Sequence, residues 1–304
     1  MRKLVIAGGT GALGSAIIQR YYNTETELIV LSRTARQPDN NIRYVAWDAK
    51  TLGPWTKELE ESTAVINLVG KSVNCRYTAK NKREIIDSRV NSTIVIGQAI
   101  QGLRQKPAVW INAGSVAIFG NSGEEMKQEG SPTGVGFSPE VCKAWERAFA
   151  SVATPGTRKV FLRIGLVLQS GKGVLKPFAN LAKTSFGGRI GSGEQYMTWI
   201  HEEDFVNLMD WVINKEVSGI IHAASPFPVK NKEFMQEIRK ALKIPIGLPI
   251  PAFLTRFGAL FIGTEAELVL SGRRVVSKIL AENQFYFKYP QIQKALNQLL
   301  LSGI

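Results

Sequence analysis

Residues 2–22 read RKLVIAGGTGALGSAIIQRYY, with four glycines in the seven positions from Gly8 to Gly14. Glycine weakens both strand and helix interiors, so a cluster of it between an apolar run and an amphipathic one needs a reason. The run Leu4 to Ala7 reads as a buried strand, and Leu13, Ile17 and Tyr21 then recur at helical spacing. Gly8, Gly11 and Gly14 give G-x-x-G-x-x-G, extended by Gly9. Between a strand and a helix this pattern makes a bed for a dinucleotide pyrophosphate. Its early glycines permit a tight turn, Gly11 admits the phosphates, and Gly14 lets the helix pack close to the sheet. The helix N-terminus adds free N–H groups and the positive end of its dipole.

The second strand refines the ligand. Dinucleotide sites for NAD usually carry an acid about 20 residues on, which accepts from the ribose 2′-hydroxyl. Here the strand ends LIVLSRTAR, with Ser32 where the acid would stand, then Arg33 and, nearby, Arg36. A guanidinium cannot accept from a hydroxyl, but it can clamp a 2′-phosphate through two charge-assisted bonds. NADP(H) is therefore the cofactor expected.

Beyond this unit, β-branched runs alternate with helical patterns. Strands are expected at 3–7, 27–32, 42–47, 64–69, 108–113, 159–164 and 219–224, and helices at 11–22, roughly 79–104 and 139–152. Near-continuous apolar strands signify burial on both faces of a parallel sheet. The fold class is thus α/β, a doubly wound parallel sheet of the Rossmann type, with a smaller and mostly helical C-terminal substrate lobe. The Rossmann domain is expected over 1–165, completed by the strand near 219–224. The substrate lobe takes 166–304, of which 247–304 is a C-terminal helical segment; the tail from 265 shows no β-rich run.

Charge and composition exclude several classes. The net charge is +13, but residues 1–150 carry 19 basic and 14 acidic side chains and residues 151–304 carry 19 and 11, so no basic arm exists. With no recognition motif beside the charge, no nucleic-acid partner is expected. The segment 71–89 concentrates six basic residues against two acids. It reads either as a phosphate-recognising element or as a solvated helix face with Lys80–Glu84 and Arg83–Asp87 pairs. No run approaches the ~20 apolar residues of a membrane span. Leu4 to Ala7 is too short for a signal-peptide core. Cys75 and Cys142 form no disulfide framework or metal-ligand spacing, so a cytoplasmic protein is expected. His201 and His222 are the only histidines. The sequence HEED at 201–204 lacks ligand spacing, so no metal is expected; Asp204 reads as a helix N-cap and His222 as a core residue. The absence of G-x-S-x-G removes the serine-hydrolase reading.

The chain resembles the short-chain dehydrogenase/reductase superfamily in its extended, NAD-dependent epimerase/dehydratase-like form. More narrowly, it is similar to an atypical "epimerase family protein" (sugar nucleotide epimerase-like) branch that ends in a C-terminal domain of unknown function. The motifs carrying this are GGTGALG, AVINLVGKSV, KREIIDSRVNST, GSVAIFG, EVCKAWE, LRIGLVL, GSGEQYMTWIHEEDF and ELVLSGRRVVSKIL. The resemblance implies that Thr10, Gly11, Ala12 and Leu13 line the diphosphate, that Asp48 lies near the adenine, and that Val69 and Gly70 pass under the adenine ribose. It makes Ser115 the catalytic hydroxyl, although a serine there also satisfies loop backbone groups. It makes Lys143 the lysine of the family's Tyr-x-x-x-Lys motif, contacting the nicotinamide ribose. The tyrosine of that motif is absent, because Pro139 stands four residues before Lys143. Tyr77 and Tyr196 are the candidates to replace it. The reading is an oxidoreductase or epimerase acting on a small-molecule substrate, nucleotide-sugar-like or a small carbonyl compound. Its alternative is a non-catalytic NADP(H)-binding sensor or partner-binding protein. A homodimer is the default for any oligomer.

Overall fold

The computed structural model describes residues 2–34, 36–261 and 263–301. Seven parallel strands form its central sheet: β1 (Lys3–Ala7), β2 (Glu27–Ser32), β3 (Ile42–Ala46), β4 (Ala64–Asn67), β5 (Val109–Ser115), β6 (Arg158–Ile164) and β7 (Gly219–Ala223). Their order across the sheet is β7-β6-β5-β4-β1-β2-β3. The strand order reverses between β1 and β4, so the crevice for a ligand opens at the carboxyl ends of these two strands. There Ala7 pairs with Asn67, which sets Gly8 beside the chain leaving β4.

The aliphatic runs explain the sheet's burial. Leu4 to Ala7, Leu28 to Leu31 and Ala64 to Ile66 are all buried, as helices on both faces require. The first helices are α1 (Ala12–Tyr21), α2 (Ala79–Gly102) and α3 (Phe137–Ser151). Then come α4 (Leu175–Leu181), α5 (Glu202–Asn214) and α6 (Asn231–Ala241). The tail carries α7 (Ala252–Phe261), α8 (Glu267–Leu270), α9 (Lys278–Glu282) and α10 (Ile292–Leu301).

A second apolar core lies beside the sheet. It gathers Phe178 of α4, Phe234 and Ile238 of α6, Leu296 and Leu299 of α10, and Trp199. The chain returns from it to the sheet with α5 and β7. Helix α5 packs beside α1, with Arg20 Nε 3.1 Å from Asp210 Oδ2.

Three local expectations change. The tail is not wholly helical, because Arg274–Val275 pairs in parallel with Met126–Lys127; two residues leave no periodicity to read. The N-cap of α5 is His201, whose Nδ1 accepts from Glu203 N at 3.0 Å. Asp204 instead accepts from Lys288 N (2.7 Å) and Tyr289 N (2.9 Å), pinning the C-terminal segment. Glu84 pairs with Lys71 from the preceding loop rather than with Lys80. Among the described residues, no helix is long and apolar enough to cross a membrane, and no group of three or more potential ligand residues could hold a metal ion.

Candidate functional site: the cleft at the carboxyl edge

The glycine loop is shaped by close approach. Gly8 has φ +82, and a Cβ there would lie 3.0 Å from the Leu68 carbonyl carbon. A Cβ on Gly14 would lie 2.4 Å from Gly9 Cα, so α1 can press against the loop only with glycine at that position. Gly11 differs: its added Cβ would meet nothing closer than Gly8 O at 3.4 Å. Thr10, Gly11 and Ala12 are exposed and Leu13 half-buried. Gly11 is the N-cap of α1 and supplies no side-chain acceptor, so the first N–H groups of the helix are uncapped. The loop is thus an open anion cradle, which fits a dinucleotide pyrophosphate.

At the end of β2, Ser32 is buried and its Oγ accepts from Thr34 N at 3.4 Å. Arg33 is exposed and has no hydrogen bond or ion pair among the described residues. Arg36 lies over the Tyr44 ring at 5.6 Å. Asp48 is engaged locally. Its Oδ1 accepts from Lys50 N (2.8 Å) and Thr51 N (2.9 Å), and its Oδ2 accepts from Thr51 Oγ1 (2.7 Å). These bonds hold its pKa down at about 2.

Past β4, Val69 N donates to Asn67 Oδ1 at 3.1 Å, and Gly70 is exposed. A Cβ on Gly70 would lie 3.0 Å from Arg89 Cζ, so the guanidinium of α2 floors this part of the crevice. Arg89 NH1 donates to Lys71 O (3.0 Å) and Ile85 O (2.9 Å), and the group stacks over Trp145 at 5.1 Å.

Ser115 ends β5 and caps the turn Val116–Phe119, its Oγ accepting from Ala117 N at 3.1 Å. An oxygen that accepts there still has its hydroxyl proton to donate. Lys143 is half-buried and its Nζ donates to Gly134 O at 2.7 Å. Pro139 is buried in the first turn of α3, where its missing N–H costs nothing. Of the two tyrosines that could replace the absent phenol, Tyr196 donates to Glu124 Oε2 at 2.9 Å. Tyr77 stands edge-on to Phe137, the first residue of α3, with ring centroids 4.7 Å apart. Its hydroxyl is buried beside the Ser138 side chain, and burial raises its pKa. Cys142 is buried and its thiol is pushed up to about 12 by that burial, so it is inert at neutral pH.

Sequence similarity now bears on this geometry. The NAD dependent epimerase/dehydratase family matches residues 4–140, and DUF1731, a domain of unknown function, matches residues 250–299. The "epimerase family protein YfhF" of Bacillus subtilis is 33% identical over 300 residues, covering 98% of this chain and 97% of that one. The chain belongs to the NAD dependent epimerase/dehydratase family. Another member, the chloroplastic SDR39U1 homolog of Arabidopsis thaliana, is 30% identical over 97% of this chain and 86% of its own. Among solved structures, human epimerase family protein SDR39U1 (isoform2) with NADPH superposes with a TM-score of 0.85 at 25% identity. It covers 98% of this chain and 99% of its own. MoeE5 in complex with UDP-glucose and NAD, at 15% identity and TM-score 0.76, covers 98% of this chain and 97% of its own; at that identity it shares the fold.

In this family member, part of the site's wiring escaped the sequence reading. Asn67 and Asn112 face each other across β4 and β5, with Asn67 Nδ2 donating to Asn112 Oδ1 at 2.8 Å. Thr93 Oγ1 donates to Asn112 Oδ1 (3.2 Å) and accepts from Trp145 Nε1 (3.0 Å). A buried polar chain therefore links the Val69 loop to the helix that carries Lys143. Its signal was present as an asparagine inside each of two apolar runs. Gln169 was also missed. It donates to Ala12 O (3.1 Å) and Glu202 Oε2 (3.2 Å), tying the start of α1 to the start of α5.

Proposed function

We propose that the protein binds NADP(H) and acts as an extended short-chain dehydrogenase-type oxidoreductase or epimerase on a small molecule bearing a carbonyl or hydroxyl carbon. The observation that carries this is the open cradle at Gly8–Gly14, followed at the end of β2 by an exposed, unpartnered Arg33. An arginine with no partner among the described residues suits a 2′-phosphate, and the human relative crystallised with NADPH supports that choice.

The chain's own residues divide the work as follows. The uncapped start of α1 would hold the pyrophosphate, Arg33 with Ser32 the 2′-phosphate, and Val69 and Gly70 the ribose edge. Asp48, whose carboxylate is tied into its own turn, would meet the adenine side only with its remaining acceptor capacity. The bound cofactor supplies or takes the hydride. Ser115 would donate its free hydroxyl proton to the substrate oxygen. Lys143, anchored on Gly134 O, would present its remaining N–H groups and positive charge to the same region. We place the substrate between this edge and the lobe of residues 166–304.

A second reading, a cofactor-binding protein without turnover, draws on one observation. Pro139 occupies the place of the acid/base tyrosine, so no phenol stands one helical turn before Lys143. Titrating NADPH against protein fluorescence, then assaying NADPH oxidation over a panel of carbonyls and nucleotide sugars, separates the two. Turnover that is lost in Ser115→Ala, with NADPH affinity kept, supports the enzyme. Tight NADPH binding with no turnover across the panel supports the second reading.

A further inference from the structure

Helix α7 is built inside out. Along AFLTRFGALF (252–261) the small residues turn toward the protein: Ala259 is buried, and Ala252, Thr255 and Gly258 are half-buried. A Cβ on Gly191 would meet the Ala252 methyl at 3.9 Å. Phe253, Phe257 and Leu260 recur at spacings of four and three, so they share one line along the helix, with Leu254 and Phe261 beside it. All five are exposed, Phe253 by 66%, Phe257 by 59% and Phe261 by 76%. A single exposed apolar side chain needs no reason, but five on one short helix make a patch that marks contact with another apolar phase. The connector before the helix adds exposed Ile246 and Leu248.

Charge narrows the kind of phase. From Ile238 to Thr264 the chain carries Arg239, Lys240, Lys243 and Arg256 and no acidic residue. Phe253, Phe257 and Leu260 line one open groove together with Arg76 and Arg256. Arg76 NH1 donates to Thr264 O at 3.3 Å and Tyr77 N donates to Glu265 Oε1 at 2.8 Å, so the loop entering α2 is fastened to the residues that follow α7. Glu265, the first acid after the helix, is engaged there and lies 3.8 Å from Arg76 as well. Beyond the loop, Lys80, Lys82 and Arg83 are exposed at the start of α2. Glu84 joins Lys71 instead of Lys80, and Lys80, Lys82 and Arg83 have no ion pair among the described residues.

Bulky apolar side chains beside unpaired cations, on a chain of net charge +13, suit an anionic lipid surface. They do not suit a second copy, which would bring the same positive charge against them. Nor do they suit an apolar small molecule, which needs a pocket that closes over most of its surface. We propose that α7, with the basic start of α2 beside it, docks the protein on an anionic membrane surface. The phenylalanines enter the acyl boundary and the cations meet the lipid phosphates, so α7 lies in the surface without spanning it. The inference is independent of the cofactor reading, since it uses no residue of the glycine loop or of the Ser115 and Lys143 edge.

The test mixes the full chain with vesicles of phosphatidylcholine, or of phosphatidylcholine and phosphatidylglycerol in equal parts, and reads the bound fraction by flotation. Wild-type protein should bind the anionic vesicles at least about tenfold more tightly than the neutral ones, and should leave them as salt is raised. Phe253→Ser combined with Phe257→Ser should lower that affinity about tenfold or more, and so should Lys80→Glu combined with Arg83→Glu. The unfolding midpoints should match wild type, because all four side chains are exposed. Emission from Phe257→Trp should be quenched by brominated lipid in the vesicles, which locates the helix without relying on a loss of binding. The proposal is overturned if anionic vesicles are not bound, if neutral vesicles are bound equally well, or if either pair of substitutions leaves the affinity unchanged. It is also overturned if sedimentation shows a wild-type dimer that Phe253→Ser with Phe257→Ser dissociates, since the patch would then lie between copies.

Discussion

Replacing Arg33 with alanine isolates one link in the reasoning, because the side chain does nothing else. It is exposed and has no hydrogen bond or ion pair among the described residues, so its removal should leave the unfolding midpoint unchanged. Its proposed task is a two-pronged bond to the 2′-phosphate. Hydrogen bonds to charged groups contribute about 1.5–3 kcal/mol net; solvent exposure keeps the pair within that range rather than doubling it. At 1.4 kcal/mol per tenfold, the NADPH Kd should rise about 10- to 150-fold. NADH lacks the phosphate, so its Kd should stay within twofold. The difference should shrink with salt, since screening acts over about 8 Å at physiological ionic strength. Quenching of the protein's tryptophan fluorescence by each nucleotide, at low and high salt, measures all of this. Equal losses for both cofactors, or no loss for NADPH, would refute the 2′-phosphate assignment. A loss in Arg36→Ala alone would move the clamp to the arginine now stacked on Tyr44.

Three other outcomes follow from geometry already described. Gly14→Ala places a carbon 2.4 Å from backbone that cannot yield; it should cost about 1–3 kcal/mol in urea unfolding and abolish NADPH binding, and wild-type stability would contradict it. Asp204→Ala strands two amide donors of residues 288 and 289, for about 2–4 kcal/mol by the same assay, with Asp204→Asn costing less because one acceptor remains. Both histidines are pushed below their usual pKa, first by burial. His222 Nδ1 faces the Val276 carbonyl and so carries the proton, while Nε2 faces Arg163 NH1 at 3.4 Å. The unfolded chain therefore binds protons that the folded one refuses once pH drops below about 6.5. Stability should be full above that pH and fall as pH goes from 7 to 5, although Asp204, raised by burial, acts in the opposite sense. A urea midpoint that is flat or rises on acidification would contradict the histidine account.

The α/β alternation, the glycine loop after β1 and the arginine beyond β2 were all legible in the sequence. Each of these is local: a glycine at Gly14 or an arginine at the end of an apolar strand acts within one β-α-β unit, and its meaning survives without knowing the rest. Strand ends were legible to within two residues for the same reason, as apolar runs stop where the sheet stops. Tertiary structure alone decided which distant groups meet. Asn67 and Asn112 are 45 positions apart, and their bond exists because β4 and β5 pair in that register. Tyr77 rather than Tyr196 reaches the first turn of α3, since Glu124 holds the other hydroxyl. The segment around Arg273 is placed because Gly272 and Arg274 bond to a turn some 150 positions earlier. Periodicity encodes which face of an element is buried, but not the partner it is buried against. The cradle is therefore written in the first 33 residues, whereas the chemistry facing it depends on where the last 60 fold back.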